Sequence, residues 1–113
     1  MKLLLLSLAT LSFTLLTAAA ADSPFVGTWD TNWGNLVIEQ KQEKFTGKYV
    51  GKFSGTIEGT IKEGKLHFTW KQPNAEWGSG VFTISEDGKS LKGTWGGAES
   101  ATNGGPWDGK RKK

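Results

Sequence analysis

The sequence predicts an all-β protein: an eight-stranded antiparallel up-and-down β-barrel, preceded by a cleaved signal peptide. Three observations predict it. Beyond residue 21, apolar and aromatic residues alternate with polar ones at period two. Turn residues recur about every ten positions, the spacing of short strands in sandwiches and barrels. Sorted by parity, the strands leave one apolar face, one polar face and no amphipathic helix to cover either. Closing such a sheet buries the apolar face and removes the two edges that would template aggregation. A two-sheet sandwich is the alternative architecture.

The leader comes first in the chain. Lys2 is a charged start, Leu3 to Leu16 an apolar run, and Ala18, Ala19, Ala20 and Ala21 offer an A-x-A cleavage site before Asp22. The run is too short for a spanning helix. The expected organisation is therefore a signal peptide at 1–21 and one domain at 22–113, secreted or periplasmic. The chain has 113 residues, no cysteine, one histidine, 16 glycines and 6 tryptophans. Without cysteine there is no disulfide framework, thiol nucleophile or thiolate metal site. The formal net charge is +3, and Lys110, Arg111, Lys112 and Lys113 hold much of the basic excess at one end. The body is close to neutral, a poor footprint for nucleic acid.

Eight strands follow, at 25–31, 35–41, 44–50, 53–62, 65–72, 77–85, 90–96 and 105–111. Lys62-Glu63-Gly64-Lys65 and Glu86-Asp87-Gly88-Lys89 place glycine where a short hairpin needs positive φ. Pro73-Asn74 stops the fifth strand, since proline cannot donate to a ladder. The inward set includes Phe25, Trp29, Leu36, Ile38, Phe45, Tyr49, Phe53, Ile57, Ile61, Leu66, Phe68, Trp70, Phe82, Leu91, Trp95, Trp107 and Arg111. The outward set is Thr, Lys, Glu and Asp, with His67 among them. A one-residue slip would expose every inward aromatic, so the register is well specified. An outward polar face excludes an outer-membrane barrel.

In a barrel the links sort by end. Links 2–3, 4–5 and 6–7 are tight and share the end that holds both termini. Links 1–2, 3–4, 5–6 and 7–8 share the other end and include Asn32-Trp33-Gly34, Gln72 to Trp77 and the long Gly96–Gly105 segment. Long loops mark that end as the mouth. Trp33 and Trp77 belong to it, Trp77 with outward parity. Trp29, Tyr49, Trp70, Trp95 and Trp107 either line a small cavity or simply fill the core. Eight-stranded barrels are only just wide enough for one small ligand, and the many inward aromatics favour filling.

Catalysis has little support. The lone His67 is outward, so neither a nucleophile–His–carboxylate arrangement nor a multi-His metal site is easily built. Asp30 and Asp108 fall on strands that meet on closure, but both point outward, with no cleft for glycoside hydrolysis. No phosphate-binding glycine loop leads into a helix. No cofactor is expected.

Gly27-Thr28-Trp29, then Gly34-Asn35, then Phe45-Thr46-Gly47-Lys48-Tyr49 resembles the opening three strands of the avidins, and Trp70-Lys71 resembles the avidin Trp-Lys. A Gly-x-Trp in strand one with an arginine in the last strand is similar to the calycin barrels, lipocalins and avidins together. That resemblance implies that Arg111 packs across Trp29 and closes the barrel bottom. It also implies a ligand site at the mouth that takes in Thr31, Asn35, Tyr49 and Trp70; with Trp33, Trp77, Trp95 and Trp107 from the strand and link reading these are the candidate ligand-binding residues. Thr31 and Asn35 stand where avidins have Asn and Ser, Asp108 has the wrong parity for the eighth-strand partner, and Val50-Gly51-Lys52 is a short lid. A site missing paired hydrogen bonds to a buried polar ligand loses affinity by orders of magnitude, so tight biotin binding is not expected.

The expected function is an exported, non-enzymatic binding module taking a small ligand or an exported protein partner at the mouth. A protease-inhibitor-like barrel, presenting Asp22-Ser23-Pro24, and a structural or interaction module with a filled core are the alternatives. The polar outward face argues for a monomer.

Overall fold

A computed structural model describes residues 23–112; the leader expected at 1–21 lies outside them. Nine strands run in order: β1 (Gly27–Thr31), β2 (Gly34–Lys41), β3 (Lys44–Val50), β4 (Ser54–Lys62), β5 (Lys65–Lys71), β6 (Trp77–Ile84), β7 (Ser90–Gly97), β8 (Gly105–Pro106) and β9 (Gly109–Arg111). Each of β1 to β7 pairs antiparallel with the next, and β9 pairs with both β1 and β7, so the sheet closes on itself. The architecture is a closed up-and-down barrel, and the sandwich alternative is set aside. The hairpin at Lys62–Lys65 turns on Glu63 and Gly64 at φ 56° and 81°, the two-residue turn whose twist matches the strands it joins.

The expected last strand, 105–111, is interrupted. β8 pairs only with β7, through Trp95↔Gly105 and Thr94↔Pro106, and Trp107-Asp108 separates it from β9. The cause lies in β1, which ends at Thr31 and leaves the residues above Gly109 without a strand on that side. Asn32 substitutes for one. Its amide nitrogen donates to Pro106 O at 3.0 Å, and its amide oxygen accepts from Asp108 N at 2.9 Å. Asp108 is thereby half-buried rather than on the outer face, and its carboxylate accepts from Gly93 N.

The barrel interior follows the parity. Trp29, Leu36, Leu66 and Phe82 have no measurable exposure, and among the described residues no polar or charged one is buried with them. Phe68 and Phe82 stack at 4.7 Å between ring centres, and Trp107 meets both edge-on at 5.6 and 5.3 Å. These rings fill the middle of the barrel. Two inward assignments fail at the strand ends. Ile61 is 39% exposed beside the β4–β5 hairpin, and Phe53 is 45% exposed because β4 begins only at Ser54. Phe25 is buried as expected but lies in a turn before β1 rather than in the strand.

The end holding the tight turns is plugged. The Arg111 guanidinium lies 4.3 Å from the Trp29 ring centre, a cation–π contact. It donates to Gly88 O and Val26 O, each at 2.9 Å, and to Pro24 O. The Trp29 indole N–H is bonded to Phe25 O at 3.0 Å. Gly27, at φ 141°, lets the guanidinium reach this position, since a Cβ there would run into Arg111 Nη1.

Candidate functional site

The opposite end holds a solvent-open cavity of about 160 Å³. Each long link or adjoining strand end contributes to it: Trp33 after β1, Tyr49 ending β3, Phe53 before β4, Trp70, Gln72 and Glu76 around the β5–β6 link, then Trp95 on β7 and Trp107 after β8. The tight packing at 33–34 has a local cause. Gly34 sits at φ 103° with its α-carbon against the Val50 carbonyl, and any side chain there would collide with that oxygen. The turn therefore lies flat on the β3–β4 link, and Trp33 folds inward over the barrel opening.

The walls meet at steep angles. Trp33 and Trp95 are perpendicular at 88° with ring centres 5.5 Å apart, and Trp70 meets Trp95 at 79° and 5.9 Å. Phe53 tilts at 41° against Trp33, 5.8 Å away. Tyr49 and Trp107 form the floor, edge to face at 5.1 Å. Polar groups are few. Gln72 Nε2 donates to the Tyr49 hydroxyl at 2.9 Å, and Glu76 brings the one carboxylate. Burial raises the Tyr49 pKa above its ordinary 10.0, partly opposed by the Gln72 hydrogen bond, so the phenol stays protonated at neutral pH.

The indole N–H groups divide into two kinds. Trp70 donates to Gly96 O at 3.0 Å and Trp107 to Thr31 Oγ1 at 3.1 Å. Those of Trp33 and Trp95 are buried and find no acceptor among the described residues. Buried donors are nearly always satisfied, so two orphans on adjoining walls of one cavity are unusual.

Of the residues expected at the mouth, Trp33, Tyr49, Trp70, Trp95 and Trp107 come together around the cavity. Thr31, Asn35 and Trp77 do not. Thr31 lies beneath the cavity, where its hydroxyl donates to Gly34 O and accepts from Trp33 N and the Trp107 indole. It supports two walls without lining them. Asn35 faces out, in a hollow over β2–β4, and its amide oxygen takes a hydrogen bond from Lys112. Trp77 is 45% exposed on the outer wall, as its parity requires. Three lining residues were not among the site candidates: Phe53, which was expected inward, Gln72 and Glu76. Gln72 continues the inward parity of Leu66, Phe68 and Trp70, so the signal for it was present. Glu76 carried none, because its place depends on a loop turn in which Asn74 Oδ1 accepts from Glu76 N at 3.0 Å.

Elsewhere, among the described residues, no three His, Asp or Glu side chains converge as a metal site would need. His67 is exposed on β5, Asp30 pairs in register with Lys110, and Asp108 is held by Asn32 and Gly93 as described. No helix among the described residues is long and apolar enough to cross a membrane. No family model matches the chain, and no curated protein or solved structure matches it.

Proposed function

We propose that this chain is an exported, non-enzymatic binding module that holds a small ligand in the aromatic mouth of an avidin-like barrel. The observation that carries the reading is the cavity itself, about 160 Å³ and walled almost wholly by aromatic side chains at the loop-rich end. An apolar cavity of about 150 Å³ is enough to hold a benzene-sized molecule. Pockets for drug-sized ligands run from about 300 Å³ upward, so the ligand is small or inserts only one group. Biotin is a poor candidate, because Thr31 is engaged below the cavity and Asn35 faces outward, away from it.

The test is tryptophan fluorescence of residues 22–113 titrated with a panel of small molecules, biotin included. The expected result is saturable change with a compact ligand, lost in Trp33→Ala while the far-ultraviolet spectrum stays that of the folded barrel. A flat response across the panel would overturn the reading. It would favour a module that contacts protein through the exposed rim residues Phe53 and Trp77.

A further inference from the structure

We infer that the mouth cavity is a cation cage, selective for a compact quaternary or methylated ammonium group; this rests on the binding reading above and names the ligand class. Three features of the cavity carry it.

The first is the arrangement of its walls. Trp33 meets Trp95 at 88° and Trp70 meets Trp95 at 79°, so these walls do not form a slot of two parallel faces. Walls set at steep angles to one another suit a roughly spherical group better than a flat one, and an aromatic face turned to the cavity is the negative side of a quadrupole that attracts a cation. A trimethylammonium head is of the size that a cavity of about 160 Å³ admits, with its fourth substituent leaving through the open side.

The second is the scarcity of hydrogen-bond donors facing the ligand. The Trp70 and Trp107 N–H groups are engaged by Gly96 O and Thr31 Oγ1. Those of Trp33 and Trp95 have no accessible surface, so the cavity meets their rings rather than their donors. Gln72 Nε2 gives one of its two protons to Tyr49, which leaves its second proton and the Tyr49 hydroxyl proton as the free donors of the floor. Carboxylates, ureido groups and sugars need several donors, and a quaternary ammonium needs none.

The third is charge. Among the described residues, Glu76 is the one charged residue lining the cavity. A carboxylate beside a neutral apolar ligand would be partly desolvated without recompense, whereas beside a cation it is matched. Lys52 lies over the Phe53 ring at 6.0 Å and does not line the cavity, so it leaves the interior free of positive charge.

The experiment compares choline with its uncharged isostere 3,3-dimethylbutan-1-ol, by calorimetry and tryptophan fluorescence on residues 22–113, with Glu76→Gln as the variant. Glu76 is exposed on a loop, and its side chain is not part of the core. The expected result is choline binding at least about tenfold tighter than the isostere, the size of one desolvated cation–π contact. In Glu76→Gln choline should weaken severalfold while the isostere binds no more weakly than before, so that the gap between the two narrows. Equal binding of the two, or tighter binding of the isostere, would overturn the cation assignment and leave the apolar pocket standing. Absence of binding by both, with no response to benzene or indole either, would overturn the cage and the binding reading together.

Discussion

At the plugged end of the barrel the Arg111 guanidinium lies over Trp29 and donates to three backbone carbonyls, while the Trp29 N–H has its own acceptor. At the mouth, Trp33 and Trp95 keep N–H groups without acceptors around an open cavity. The same residue type thus closes one end with its indole N–H bonded and rims the other with two N–H groups that have no acceptor among the described residues. Unsatisfied buried groups lower stability, and proteins keep them mainly where function asks for the shape they permit. The contrast separates tryptophans that hold the fold from tryptophans available to a ligand.

The largest effect that could break this contrast is Trp29→Ala. Removing a fully buried indole costs about 3–5 kcal/mol, against a total stability of about 5–15 kcal/mol for a small domain. It also strips the guanidinium of its ring. Urea titration should show a large fall in midpoint, and an unchanged midpoint would mean that the plugged end is not structural. A smaller effect sharpens the contrast within the mouth. Trp70→Phe takes the donor from the Gly96 carbonyl and should cost about 1–3 kcal/mol, whereas Trp95→Phe removes a donor that had no acceptor and should cost less. Equal losses in the two variants would show that the Trp95 N–H is satisfied in solution.

The smallest effect is a pH dependence. The Tyr49 pKa is raised in the folded state by burial. Its contribution to stability is therefore complete below the unfolded value, 10.0, and is lost as pH rises through the folded value. The urea midpoint of the wild type should fall more steeply above pH 10.0 than that of Tyr49→Phe. Parallel curves would mean that the phenol is solvated as it would be in the unfolded chain.

Much of the barrel was legible because period-two alternation reports burial directly, and a strand has only two faces to choose between. Phe45, Tyr49, Leu66 and Phe82 lie where their parity puts them. Gly-x-Trp and the late arginine pointed to the Trp29–Arg111 contact. The misses lie where alternation stops. The break at Trp107-Asp108 depends on Asn32, a residue 76 positions from Asp108 whose side chain takes the place of a strand. Phe53 shifts from core to rim because β4 starts one residue late, and Glu76 is placed by a loop turn around Asn74. Loops are ordered by hydrogen bonds between particular distant groups, which no local pattern records. The wall residues on strands were accordingly easier to find than those on links.

The seam has a consequence in time. Every pairing from β1 to β7 joins neighbours in sequence, and such hairpins form within microseconds. The contact between Arg111 and Val26 instead spans 85 positions, and its loop-closure entropy must be met before it returns anything. Without the β9 pairings the sheet would be a ribbon of hairpins with both edges bare, and three residues, Gly109–Arg111, cover those edges in the barrel. Interactions made only late in folding retard unfolding more than they hasten folding. Contacts of that kind, as Arg111 makes with Val26 and Pro24, are therefore expected to slow the opening of the barrel and the exposure of its edges to another chain.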